Sequence, residues 1–175
     1  MIASGTRDQH ALYTAAQALL KAGSQQRALA LASRLVAQLE PELQHYGKLI
    51  EGETLLDRGQ ARDAVAKFEE GKRLADSWLL RLDRGRAYLE LGAFTEAEAD
   101  FENCAKRRGE ATAVFLDDVP TFHYFPLVYY YLGRAQEGLH SASAADSYKQ
   151  FLAIKTKGDG DPLVADARRR IGTAK

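Results

Sequence analysis

Four histidines, a lone cysteine and a pair of adjacent carboxylates are the residues of this chain whose types lend themselves to chemistry. His10, His45, His123 and His140 lie far apart, without the short spacings by which histidine and cysteine converge on zinc. Cys104 falls at a position that calls for a small packed residue, so it reads as a buried structural thiol rather than a nucleophile. Asp117 and Asp118 together suit acid–base work or cation binding. Placed before Val119 and Pro120, they read better as turn-formers. An enzyme reading needs Asp117, Asp118 and His123 to converge on one site. Asp159-Gly160-Asp161-Pro162 resembles a fragment of a calcium loop but lacks the further ligands and the closing glutamate, so it reads as a turn and a helix cap. The chain has no phosphate-cradling glycine loop followed by Lys-Ser or Lys-Thr, and no Gly-x-Ser-x-Gly elbow. The aromatic run from Phe122 to Tyr131 lacks neighbouring basic residues, which favours core packing over base stacking. No catalytic residue, cofactor or metal is expected.

The elements that carry these residues follow from composition. The chain has 175 residues, with 24 basic and 24 acidic side chains and 46% hydrophobic residues. That length suits one domain or one short array. A formal charge of zero gives no field for nucleic acid or an anionic membrane, so neither is expected as a partner. No basic-then-apolar leader opens the chain, and no apolar run approaches the roughly 20 residues that span a bilayer. A single thiol suits a reducing compartment. A soluble, cytoplasmic protein is expected. Alanine and leucine dominate the apolar residues, and no proline falls between Pro41 and Pro120, which predicts an all-α fold.

Self-comparison then organises the chain. Residues 52–68 align with residues 85–101 without a gap: Gly52 meets Gly85, Leu55 meets Tyr88, Gly59 meets Gly92, Ala64 meets Ala97 and Phe68 meets Phe101. An earlier copy carries Ala16, Leu19, Gly23, Ala28 and Ala32. A later one carries Leu132, Gly133, Arg134 and Ala135, then Ala145 and Tyr148. In this last copy the turn around His140 is one residue short and lacks its glycine, which leaves the register after Leu139 open. The small residues Ala16, Gly52, Gly85 and Gly133 on first helices, and Ala28, Ala64, Ala97 and Ala145 on second helices, are expected where paired helices cross closely, with Phe68 and Phe101 filling the space between units.

This pattern resembles the tetratricopeptide repeat, with its small residue midway along the first helix, an aromatic three residues on, a turn glycine, and then an alanine and an aromatic on the second helix. Gly85, Tyr88, Gly92, Ala97 and Phe101 match at each point. The resemblance implies an α-solenoid of about four helix-turn-helix units, near 9–41, 45–77, 78–109 and 126–157, closed by a capping helix near 161–172. First helices are predicted near 7–22, 42–57, 78–91 and 126–138, and second helices near 25–39, 61–75, 94–107 and 143–156. Asp161 and Pro162 start the capping helix, and Arg168, Arg169 and Arg170 suit its C-terminal end. Residues 108–125 exceed the period. Their apolar content predicts an ordered insert packed back onto the array, along its groove.

In this family the first helices line a concave face through positions two, five and nine of each unit. Carried onto this chain, those slots hold His10, Tyr13 and Gln17; Tyr46, Leu49 and Glu53; Leu79, Leu82 and Arg86; and Leu127, Tyr130 and Arg134. Members that clamp a peptide's terminal carboxylate use lysine and asparagine there, and this chain does not. The apolar row Tyr13, Leu49, Leu82 and Tyr130 better suits an amphipathic helix or an extended apolar segment of a partner protein. The same row suits coverage by the chain's own insert or by a second subunit, and a homo-oligomer stays open. The resemblance thus implies a non-enzymatic interaction scaffold.

The stretch from Phe115 to Pro126, followed by Tyr130 to Leu139, is also similar to the tetratricopeptide tails of bacterial Ser/Thr protein kinases. That similarity implies a regulatory or substrate-recruiting segment of a larger signalling protein. The chain itself lacks the kinase glycine loop and His-Arg-Asp motif.

Overall fold

Alanine-rich segments broken by short glycine turns can bury one face each only by pairing with their neighbours. The computed structural model describes residues 9–112, 124–155 and 160–173, and these hold ten helices and no strand. In order they are α1 Gln9–Lys21, α2 Gln25–Val36, α3 Pro41–Asp57, α4 Ala61–Leu74, α5 Trp78–Glu90, α6 Phe94–Lys106, α7 Arg108–Thr112, α8 Phe125–Gly138, α9 Ala144–Ile154 and α10 Pro162–Thr173. The hairpins α1/α2, α3/α4, α5/α6 and α8/α9 stack in chain order. Each second helix packs on the next first helix, and α10 closes on α9. First helices also touch one another, α1 with α3, α3 with α5 and α5 with α8. The fold is all-α and repeat-built.

One turn geometry is used four times. Gly23, Gly59 and Gly92 adopt left-handed φ values of 71°, 72° and 71°. In each turn the next residue's N–H reaches back to a carbonyl five residues earlier, as in Ser24 to Leu19 and Gln60 to Leu55. This is the Schellman arrangement, which satisfies the last carbonyls of the first helix. The fourth turn keeps the geometry without the glycine: His140 takes φ 54°, and Ser141 N–H donates to the Gln136 carbonyl.

The register after Leu139 follows from that turn. His140 stands seven residues after Gly133, as Gly92 does after Gly85, so the missing residue lies beyond the turn. The small-residue slot of α9 is therefore Ala144, which is buried, and not the half-buried Ala145 expected from the sequence. Tyr148, four residues on, fills the aromatic slot.

The mid-helix glycines sit at helix crossings, in a more specific way than expected. A Cβ on Gly85 would stand 2.6 Å from the Phe101 ring, and one on Gly133 would stand 2.7 Å from the Tyr148 ring. Gly52 faces Phe68 in the same manner. Each glycine thus admits the aromatic of its own partner helix. The ring also reaches the following unit, since Phe101 stacks on Tyr131 with centroids 5.7 Å apart. Between units, Gly47 lies against Val36 and the backbone of α2.

The extra segment begins with the short helix α7. Asp117, Asp118 and His123, with most of the apolar insert, lie outside the described residues. At its far end Phe125 packs beside Trp78, centroids 6.4 Å apart. The capping helix forms as expected: Asp161 Oδ1 accepts the Leu163 N–H at 2.9 Å, and Pro162 opens α10. Its arginine run is partly engaged within the chain. Arg170 pairs with Glu137 and Asp166, and Arg169 pairs with Asp166.

Candidate functional site

The residues expected to line a groove are placed on one face by the first helices, but most of them do not face an open groove. Tyr13, Leu49, Leu82 and Tyr130 are all buried, as are Tyr46, Leu79 and Glu53. Only Gln17, Arg86, Leu127 and Arg134 are half-exposed. The expected apolar stripe is therefore core. Neighbouring first helices approach closely enough that positions two and five pack between them, as in the Tyr13–Tyr46 ring contact at 5.5 Å. His10 is in α1, but its side chain lies outside those described.

The position-nine row becomes a polar chain that crosses three units. Gln17 donates to the Tyr13 hydroxyl at 2.8 Å and to Glu53. The Tyr13 hydroxyl donates to Glu53 Oε1 at 2.7 Å. The buried Asp83 carboxyl of α5 neighbours Glu53. Arg86 donates to Asp83 at 2.7 Å, and its guanidinium lies 5.7 Å from the centre of the Tyr131 ring. Burial raises the Glu53 carboxyl well above the usual carboxylate range, and the Asp83 charge adds to the rise. Burial also lifts the Tyr13 phenol, with Glu53 contributing. Tyr124, at the end of the insert, belongs to the same locale: burial, then Glu53 and Asp83, push its phenol up to about 12. Tyr124 and Phe125, the described end of the extra segment, pack against the core.

Sequence reasoning identified Gln17, Glu53 and Arg86 but missed Asp83. The signal was present in the repeat alignment. Thr14, Ile50, Asp83 and Tyr131 occupy one column, and an aspartate there breaks a pattern of larger or apolar residues.

At the C-terminal end, Tyr130 donates to Asp166 of α10 at 2.7 Å. Leu127 packs against the same small core. Tyr130 and Leu127 are thus tied to the capping helix.

An opening lies at one end of the predicted row. Tyr46 and Leu79, both position-two residues, line a pocket of about 470 Å³ between the starts of α3 and α5, together with Pro41, Glu42, Trp78 and the 74–77 connection. Its walls are firmly held. The His45 Nδ1–H donates to the Gly71 carbonyl at 3.0 Å, while the Ser77 hydroxyl donates to His45 Nε2 at 2.8 Å. The Ser77 oxygen also accepts the Leu80 N–H at 3.2 Å, capping α5. Buried His45 therefore locks α3, α4 and α5 together. Trp78 is fixed by its indole N–H to the Cys104 carbonyl at 2.9 Å. The Cys104 thiol is itself buried, and burial pushes it above the ordinary thiol range, which disfavours the thiolate. Among the pocket's carboxylates, Asp76 is bridged by Arg81 at 2.7 Å and Arg107 at 3.1 Å. Among the described residues, no group of three or more His, Cys, Asp or Glu side chains is placed to hold a metal, and no helix is long and apolar enough to cross a membrane.

No protein-family model, curated protein or solved structure matches this chain, so its chemistry is read from its own residues.

Proposed function

We propose that this chain is a non-enzymatic scaffold of tetratricopeptide type, working in the cytoplasm, which binds a short segment of a partner protein. The partner enters at the pocket between α3 and α5 rather than along the whole first-helix row. The observation that carries this reading is the pocket itself: about 470 Å³, large enough for a side chain or two, with Tyr46, Trp78 and Leu79 in its wall. Aromatic anchors in a rigid, partly desolvated pocket are where binding energy concentrates.

Panning a peptide library on the full chain, followed by calorimetry on the selected sequences, tests the proposal. Ala75 stands on the pocket wall and is only half-buried. Ala75→Trp fills the space without removing a core side chain. The expected result is a loss of about tenfold or more in affinity with an unchanged melting temperature. Equal affinity for the wild type and Ala75→Trp removes the pocket from the account.

A further inference from the structure

After α2 and α4 the chain passes through a short connection into the next first helix. After α6 it turns instead through α7, a helix of five residues. A helix of that length makes too few internal hydrogen bonds to hold itself. Ala111 anchors it in the core, and Arg107, the residue before it, ties it down by its side chain. The Arg107 Nε–H and one Nη2–H donate to the two oxygens of Glu110 at 2.7 Å, a planar fork on a carboxylate.

The same guanidinium also reaches the end of α4. Its other Nη2–H donates to the Asp76 main-chain carbonyl at 2.7 Å, and an Nη1–H donates to the Asp76 carboxylate at 3.1 Å. Asp76 and Glu110 both line the pocket between α3 and α5, one from the 74–77 connection and the other from α7. Arg81 holds the Asp76 carboxylate as well, from α5, by a fork at 2.7 Å. Arg107 adds the bond to the main chain and joins the connection to α7. Its ion pairs are partly exposed, and pairs of that kind add little to global stability. Their value here is geometric, because they fix a main-chain carbonyl and a short helix that both bound the cavity.

We infer that Arg107 is a positioning residue for the pocket: it clamps the 74–77 connection to α7 and so keeps the cavity in the shape that a partner segment enters. The role in binding rests on the proposed function of the pocket, whereas the clamp itself is measurable without a partner. A pre-shaped cavity spares the complex the cost of ordering its walls, so a loosened wall lowers affinity without removing a contact.

Trp78, the single tryptophan, lines the same pocket and reports on it. Acrylamide quenching of its fluorescence in the free, full chain is expected to rise in Arg107→Ala. It rises also in Arg107→Lys, because an ammonium keeps the charge but cannot form the fork. Lys106→Ala breaks an exposed pair with Glu102 on α6 and leaves the quenching unchanged. All three variants melt close to the wild type. Calorimetry with the peptides selected on the wild type is expected to show a loss of about fivefold or more for both Arg107 variants and none for Lys106→Ala. Wild-type quenching in Arg107→Ala overturns the clamp. Wild-type affinity in an Arg107 variant whose quenching has risen overturns its role in binding. If panning selects no peptide that is sensitive to Ala75→Trp, the pocket's proposed function fails by itself, and the quenching of Arg107→Ala still decides whether the clamp shapes the cavity.

Discussion

Glu53 on α3 and Asp83 on α5 meet as two buried carboxyls, with Tyr13 and Arg86 as their outer partners. Burial and the neighbouring Asp83 charge both favour the protonated form of Glu53. The raised value at Glu53 has a definite consequence for stability. A group whose folded value exceeds its unfolded one, about 4.3 for glutamate, contributes fully below that pH. The contribution is lost as pH rises through the folded value. Glu70, Asp76, Asp161 and Asp166 are shifted down, so their contributions are lost as pH falls, and a difference measurement is needed to isolate Glu53. In Glu53→Gln the amide replaces the protonated carboxyl. Thermal unfolding by circular dichroism from about pH 4 to about pH 9 is expected to show a variant advantage that grows with pH. Parallel curves contradict the raised value at Glu53.

Gly85→Ala tests the helix crossing. The added methyl gains helix propensity of about 1 kcal/mol but meets the rigid, buried Phe101 ring at 2.6 Å. Overpacking of this kind costs about 1–3 kcal/mol, so a net loss is expected in urea unfolding. The double variant Gly85→Ala with Phe101→Leu recovers part of the loss, because a smaller side chain vacates the contact.

His140→Gly is expected to stabilise the fold. His140 holds φ 54° at a turn where Gly23, Gly59 and Gly92 occupy the equivalent position. A left-handed non-glycine residue costs about 1–2 kcal/mol, partly offset by the greater chain entropy that glycine gives the unfolded state. A gain of about 0.5–1 kcal/mol in the urea midpoint analysis is the expected outcome. No change means that the imidazole makes compensating contacts.

Ala144 and Ala145 provide a paired test of the register in the last unit. Ala144→Leu forces a larger side chain between α8 and α9 and is expected to cost about 1–3 kcal/mol. Ala145→Leu, at a half-buried position, stays within about 0.5 kcal/mol of the wild type. The reverse order places the register one residue later.

Much of the architecture was legible from the residues in order. The spacing of Gly52, Gly59, Ala64 and Phe68, repeated from Gly85 to Phe101, is a local signal. A turn needs a left-handed residue at one position, and an aromatic ring needs a glycine opposite it, wherever the helices finally lie. Helix limits and the cap at Asp161 were readable for the same reason, since they depend on neighbours within a few residues. The register past His140 stayed open because His140 replaces the expected glycine, and the sequence does not reveal that a histidine has taken the left-handed conformation.

The site was decided in three dimensions. Alignment alone put Tyr13, Leu49, Leu82 and Tyr130 on one face. Whether such a row is open or shut depends on how closely α1, α3, α5 and α8 approach, and here they close it. The Glu53–Asp83 pair joins residues 30 positions apart, and the pocket joins the start of α3 to the start of α5. Periodicity determines which side of a helix a residue occupies, because that is a property of one helix. Exposure, the meeting of two buried carboxyls and an empty volume are properties of the space between helices, and only the packed chain sets them.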